Sequence, residues 1–295
     1  MHKKIFYVFI GIITICVIIL LISIKPKNLE VAIINSSYNN ILLNDESLLM
    51  EVDLFVNKKN SEFTNPNKIK SSVIKNDSDL ISVNVQEVIF LYEAKISNKN
   101  YYKYRFKLTS DYNYNLYLND AYLNIITDNN NYLINIGSVS IMSADSYIDN
   151  NLSINYLLGL SRKEDNRNYL VGCYVGFTAN EEILVKNITF SDNNLELHEV
   201  IKIDDFDNES NDINHKLVKN SSNFEEFTIN GESKFLFKFT YKELYQILDV
   251  GIKVEYEGNN GAKSMFYPKF TFFIDHEYTE LVEELNFYEF KNNWT

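Results

Sequence analysis

Tyr102-Lys-Tyr-Arg-Phe-Lys-Leu108 sets four apolar side chains at every second position against three basic ones. A chain that repeats every two residues puts its apolar side chains on one face of a pleated strand, whereas a helix would scatter them around its girdle. The segment therefore reads as a half-buried strand with one wet face. Upstream, Met50, Val52, Leu54 and Val56 alternate with Glu51, Asp53 and Phe55; downstream, Phe235, Phe237, Phe239 and Tyr241 alternate with Lys234, Lys238 and Thr240. Asp128-Asn-Asn-Asn131 and Gly258-Asn-Asn-Gly261 stand between such runs, and Asn and Gly tolerate the left-handed backbone of tight reversals. The chain is thus expected to be all-β and mostly antiparallel. Helical spacing is confined to Leu244, Ile247 and Leu248, which predicts a one-turn crossover, and to Leu281, Leu285 and Tyr288, which predicts a terminal helix or a last strand.

The strand patterns also recur in order. Val83–Leu91 resembles Leu195–Ile203, Tyr102–Leu108 resembles Phe235–Tyr241, Asp120–Ile126 resembles Asp249–Glu255, and Gly137–Ile141 resembles Pro268–Phe272; Leu49–Val56 is a further partner for Leu170–Phe177. One such match means little, but five in the same order point to a duplicated unit. The spacing between the first two pairs differs by about 20 residues, so an insertion is expected near 204–224, a polar stretch beginning Asp204-Asp-Phe-Asp-Asn-Glu-Ser-Asn-Asp212. The organisation expected is a transmembrane signal anchor over 1–27, a first β-sandwich domain over 28–145 and a second over 150–295. In strand number and spacing each half resembles immunoglobulin-like modules. There is no Cys-Trp-Cys spacing, so the resemblance is one of architecture.

From Ile5 to Ile24 every residue is apolar, Gly or hydroxyl-bearing, with Lys3 and Lys4 before and Lys25-Pro-Lys27 after. About 20 residues of helix span the hydrocarbon layer of a bilayer. The run exceeds an ordinary signal-peptide core and no small-x-small site precedes Lys25, which favours an uncleaved anchor over an export signal. Cys16 follows Ile15 and is followed by more apolar residues, the wrong setting for a lipidation site. Both flanks carry two lysines; the N-terminal amine adds to the first, so the N-terminus is expected in the cytoplasm and residues 28–295 outside it. The high Asn, Ile, Lys and Tyr content reads as the codon bias of an AT-rich bacterial genome.

The chain is net −12, and the four lysines flanking the apolar run leave the remainder more acidic still. Such a surface repels phosphate backbones, so nucleic acid is not an expected partner. Cys173 is the one cysteine outside the apolar run, so no disulfide can form within the rest of the chain and the fold must rest on its core. Set on an apolar strand, Cys173 reads as a core residue and not a nucleophile. His198, His215 and His276 have no second His or Cys at metal-ligand spacing. Asp205, Asp207 and Glu209 lack the Gly and distal Glu of a calcium loop and read as a solvated acidic loop. Ser72-Val-Ile-Lys75 and Ser191-Asp-Asn193 imitate two β-lactamase motifs, but Lys-Thr-Gly is missing. No catalytic, cofactor-binding or metal-binding residue is nominated. Among the tyrosines at 101, 102, 104, 112, 114, 117 and 122, a sugar-stacking platform would need wet-face positions, Tyr101 and Tyr117, or loops.

The functional expectation is a single-pass, extracytoplasmic β-sandwich protein of the cell envelope, without cofactor, whose role is binding or assistance to another membrane or envelope protein. The alternative is a cell-envelope carbohydrate binder, or a hydrolase using loop carboxylates. Protease added to wall-stripped cells should digest the chain beyond Lys27 while an N-terminal tag stays protected; protection of the large region would reverse the orientation.

Overall fold

The computed structural model describes residues 28–145, 149–164, 167–204, 224–241, 246–247, 249–271 and 285–290. Residues 1–27 therefore lie outside the described residues, as do the Asp205-to-Glu209 loop, His215, His276, Leu244 and Leu248. Among the described residues there is no α-helix and no helix long and apolar enough to cross a membrane.

Among the described residues sixteen strands form two sheet systems. The first unit contains β1 (Leu29–Ile33), β2 (Ser36–Leu43), β3 (Leu48–Val56), β4 (Ile69–Lys75), β5 (Leu80–Ile96), β6 (Lys99–Ser110), β7 (Leu116–Thr127) and β8 (Asn131–Ala144); one 3-10 turn, η1 (Pro66–Lys68), precedes β4. One layer runs β1-β3-β6-β5 and the other β2-β8-β7-β4. β5 belongs to both, pairing Leu80–Val83 with β4 and Asn84–Ile96 with β6. Its hairpin to β6 closes on Ser97 (φ 47°) and Asn98 (φ 65°), the two left-handed residues that match strand twist. Between the layers Val52, Leu54, Phe106, Leu108, Leu123, Ile125 and Ile134 are fully buried.

The second unit contains β9 (Leu152–Glu164), β10 (Arg167–Phe190), β11 (Leu195–Ile203), β12 (Phe227–Tyr241), β14 (Asp249–Gly258) and β15 (Gly261–Thr271). Its layers run β9-β10-β12-β11 and β10-β14-β15, because the 24-residue β10 passes from one layer to the other. Phe177, Phe235, Phe237, Val254 and Cys173 fill its core. Burial without an ionic partner pushes the Cys173 thiol up, an unreactive setting.

The two units share one strand order. With β1, β3, β4, β5, β6, β7 and β8 as strands A, B, C, D, E, F and G, the layers are ABED and CFG, the immunoglobulin order. The second unit repeats it with β9, the two halves of β10, β11, β12, β14 and β15. Even a register break recurs. A bulge separates Val85–Leu108 from Glu87–Lys107 in one unit and Leu197–Phe239 from Glu199–Lys238 in the other. Ion pairs of 3.0 Å (Lys107–Glu87) and 2.8 Å (Lys238–Glu199) mark the equivalent step. By this ladder Phe106 corresponds to Phe237. The sequence comparison, which set Tyr102–Leu108 against Phe235–Tyr241, pairs it with Phe239, a slip of two residues that keeps every side chain on its face and so leaves no trace in the pattern.

Two short strands depart from the expected plan. Ile247, placed by spacing in a one-turn crossover, lies in β13 (Gln246–Ile247), which pairs parallel with Ser36 and Ser37. Of the two forms expected near the end, the last strand is found: β16 (Asn286–Phe290) pairs antiparallel with β1, so the sequence-distant end of the chain extends the first unit's ladder. Its register, Leu29 with Phe290 through Ile33 with Asn286, ties the two ends of the described chain together.

β2 runs parallel to β8, with Ser36 against Gly137. Gly137 sits at φ +109°, and a Cβ there would collide with the Ser36 carbonyl oxygen. Gly137→Ala should lower the unfolding free energy by about 2 kcal/mol or more through backbone strain together with the clash on Ser36, as read by urea denaturation; an unchanged midpoint would rule out both the positive φ and the close approach of β2.

Candidate binding clefts and the seam between the units

β2 is buried along both faces. Tyr38 and Leu42 join the first core, while Ser37 and Asn39 turn toward the second unit. There they meet Asp192, in the turn after β10, which is 1% exposed. Its carboxylate accepts from Ser37 Oγ at 2.7 Å, Asn39 Nδ2 at 3.3 Å and the Asn194 backbone N–H at 2.8 Å. Ser138 Oγ donates to Ser37 Oγ at 2.9 Å, and Asn194 Nδ2 donates to Tyr117 Oη at 2.9 Å. Among the described residues the carboxylate meets hydroxyls and amides, not a cation. A buried charge is tolerated only when its lone pairs are filled, so these donors set the relation between the units.

Beside this seam opens a cleft of about 420 Å³, lined by Asn115, Tyr117, Met142, Asn193, Lys253 and Phe266. Its one cation is already engaged: Lys253 holds the Glu255 carboxyl below the usual carboxylate range and lies 5.9 Å from the Phe266 centroid.

A second cleft, of about 640 Å³, lies in the first unit between η1 with the connection before it and the middle of β5; Lys59, Asn60, Asn65, Lys68, Phe90 and Tyr104 line it. Phe90 follows the inward-facing Val88 on β5, yet it is 44% exposed because β5 has left the second layer by this point. Tyr104 and Tyr102 flank it at centroid distances of 5.6 and 6.4 Å, and Lys59 Nζ stands 5.3 Å over its ring. Tyr104 Oη also donates to the Lys59 carbonyl, fixing the connection over the aromatic floor. Glu62 is saturated: Thr127 Oγ1 (2.9 Å), Asn129 Nδ2 (2.9 Å), Asn130 Nδ2 (2.6 Å) and Tyr132 Oη (3.0 Å) donate to it. Burial pushes the Glu62 carboxyl up, but these donors outweigh it and hold the group below its ordinary value.

The residues weighed from sequence fall elsewhere. Ser72 is buried on β4 and donates to the Val83 carbonyl at 2.7 Å; Ser191 Oγ accepts from Gly251 N–H at 2.7 Å. Both hold backbone and neither stands beside a base. His198 occupies the bulge position of β11. Of the two wet-face tyrosines, Tyr101 is 1% exposed and donates to Glu30, and Tyr117 is taken up by the seam. Tyr114, on a loop, is 70% exposed and packs edge-on against Tyr112. Phe90 was missed: its strand pattern marks it as interior, and only the crossing of β5 between layers uncovers it.

The sequence matches no protein-family model and no curated protein. Among solved structures it is similar to the titin Ig tandem domains A164-A165, at 5% identity over 81% of this chain and 96% of that one, with a TM-score of 0.19. It is also similar to the C-terminal domain of the Streptococcus agalactiae AgI/II polypeptide BspA, at 9% identity over 82% and 99%, TM-score 0.19. At such scores the chain paths do not superpose, and the immunoglobulin-type order rests on the strand pairing itself.

Asp192→Ala leaves Ser37 and Asn39 facing an empty site, and should cost about 1–3 kcal/mol, with Asp192→Asn costing less. Chemical denaturation of both variants reads this directly; equal stability of Asp192→Ala and wild type would remove the seam's structural role.

Proposed function

We propose that this chain is a single-pass membrane protein of the bacterial cell envelope. Residues 1–27 are its anchor, and two sandwich domains, 28–145 and 150–295 less β13 and β16, which join the first domain's sheet, lie outside the cytoplasm and act by binding, without catalysis. The observation that carries the binding role is the Phe90 cleft. An exposed aromatic with cations beside it adds nothing to the core that Val88 and Tyr104 do not already supply, and exposed apolar surface rimmed by polar groups is the usual mark of a contact site. The seam around Asp192 supports the same reading, because it gives the two units a fixed relation in which to present such a surface. Loops and flanks of immunoglobulin-type sandwiches serve binding readily. A membrane or envelope protein is the proposed partner class, reached within the short span that a tether ending at Lys27 permits.

Photo-crosslinking from position 60 in intact membranes should capture a discrete partner, and Phe90→Ala should reduce the yield severalfold while leaving protein levels unchanged. Hydrolysis of a wall fragment by the purified protein, abolished by one Asp or Glu to Ala change, would replace this reading with the hydrolase.

A further inference from the structure

We propose that the Phe90 cleft of the first unit binds an acidic saccharide, a sugar ring bearing carboxylate or phosphate. This rests on the binding role proposed above and deepens it: the part of the envelope partner that the cleft holds is a glycan.

Charge is the first ground. The chain is net −12, yet Lys59 and Lys68 line this cleft. Neither forms an ion pair among the described residues; Lys68 acts only at longer range on Asp128, the carboxylate with which Lys70, two residues further on, is paired at 2.6 Å. The one lining carboxylate, Glu62, has its oxygens filled by four uncharged donors from the β7–β8 turn and its flanks, which keep its charge, so two lysines stand against one carboxylate in the lining. The lining is therefore net positive on an acidic protein, which favours an anion.

Shape is the second ground. A cleft of about 640 Å³ falls within the range of small-ligand sites and fits a few linked rings. Its floor offers one exposed aromatic plane, Phe90, backed by Tyr104. Lys59 now rests over that plane at 5.3 Å. Its four-carbon stem can swing aside and leave the ring face to the C–H face of a sugar while the ammonium meets the anionic group. Asn60 and Asn65 are exposed in the same lining; Asn65 Oδ1 is taken by the Asn67 N–H, which leaves its Nδ2 and the Asn60 amide for ring hydroxyls. An acidic peptide would satisfy the lysines but not the single flat plane.

The probe is a galacturonate oligosaccharide, its neutral control the methyl-esterified form of the same length, and its peptide control polyglutamate, each titrated calorimetrically against the full chain in nanodiscs of neutral lipid. The acidic saccharide should bind about tenfold or more tighter than its ester, more weakly as salt rises. Phe90→Ala and the double variant Lys59→Gln/Lys68→Gln should each lose about tenfold, while Tyr114→Ala, at a distant exposed ring, should bind as wild type. Unchanged circular dichroism verifies folding of each variant. Equal affinity for acid and ester, undiminished binding by either cleft variant, or polyglutamate binding as tightly as the saccharide would overturn the proposal. Should wild type ignore the saccharide while crosslinking still captures a membrane partner, the ligand assignment falls and the broader binding role stands.

Discussion

A single buried carboxylate sets the arrangement of the molecule. Asp192 lies between two sandwiches whose cores are complete without it, and its oxygens are filled by Ser37, Asn39 and the Asn194 backbone. An apolar seam would tolerate sliding, because burial energy depends on area and not on direction. Hydrogen bonds to a desolvated charge are directional, and displacing them strands the charge, so the seam favours one relation between the units. The polar row on β2 and β8, Ser37, Asn39 and Ser138, forms only because β2 lies parallel and close to β8, and that approach in turn requires glycine at 137.

The open cleft follows from a different economy. β5 pairs first with β4 and then with β6, so one long strand supplies an edge to both layers. Where it leaves the second layer, the sandwich has no cover for the next inward-facing residues. The connection from Asn57 to Lys68 crosses this gap and is pinned by Phe63, packed on Phe106 and Tyr132, and by the donors gathered on Glu62. It covers Tyr104 and leaves Phe90 half in water. In the second unit the corresponding crossing is made by β10, the strand that plays B and C together, so the layers are joined at another place.

The outer faces of the two units have also diverged on one scaffold. In the first, Asp53 meets Arg105 at 2.8 Å and Lys103 at 3.0 Å. Burial pushes the Asp53 carboxyl up, yet its bonds to the two cations outweigh this and hold it below the usual range. The bulge-matched ladder puts Tyr174 and Leu236 at these positions in the second unit, where both are 2% exposed. One ladder thus carries a solvated charge network in one copy and a covered apolar row in the other.

Period-two alternation by itself determined the all-β class, the inward faces of β3, β6 and β12, and the Asn-rich turns, because side-chain direction in a strand is a local property of the backbone. The order of recurring segments was legible too, down to the match of Glu87 with Glu199. Their partners across the ladder were not: a slip of two residues preserves every face, so only the hydrogen-bonded bulges decide that Phe106 answers to Phe237. The return of β16 to β1, the burial of a charge at Asp192 and the uncovering of Phe90 are likewise decided by tertiary structure. Each depends on which distant strand arrives alongside, and a residue's local pattern carries no information about what is placed, or left unplaced, on its far side.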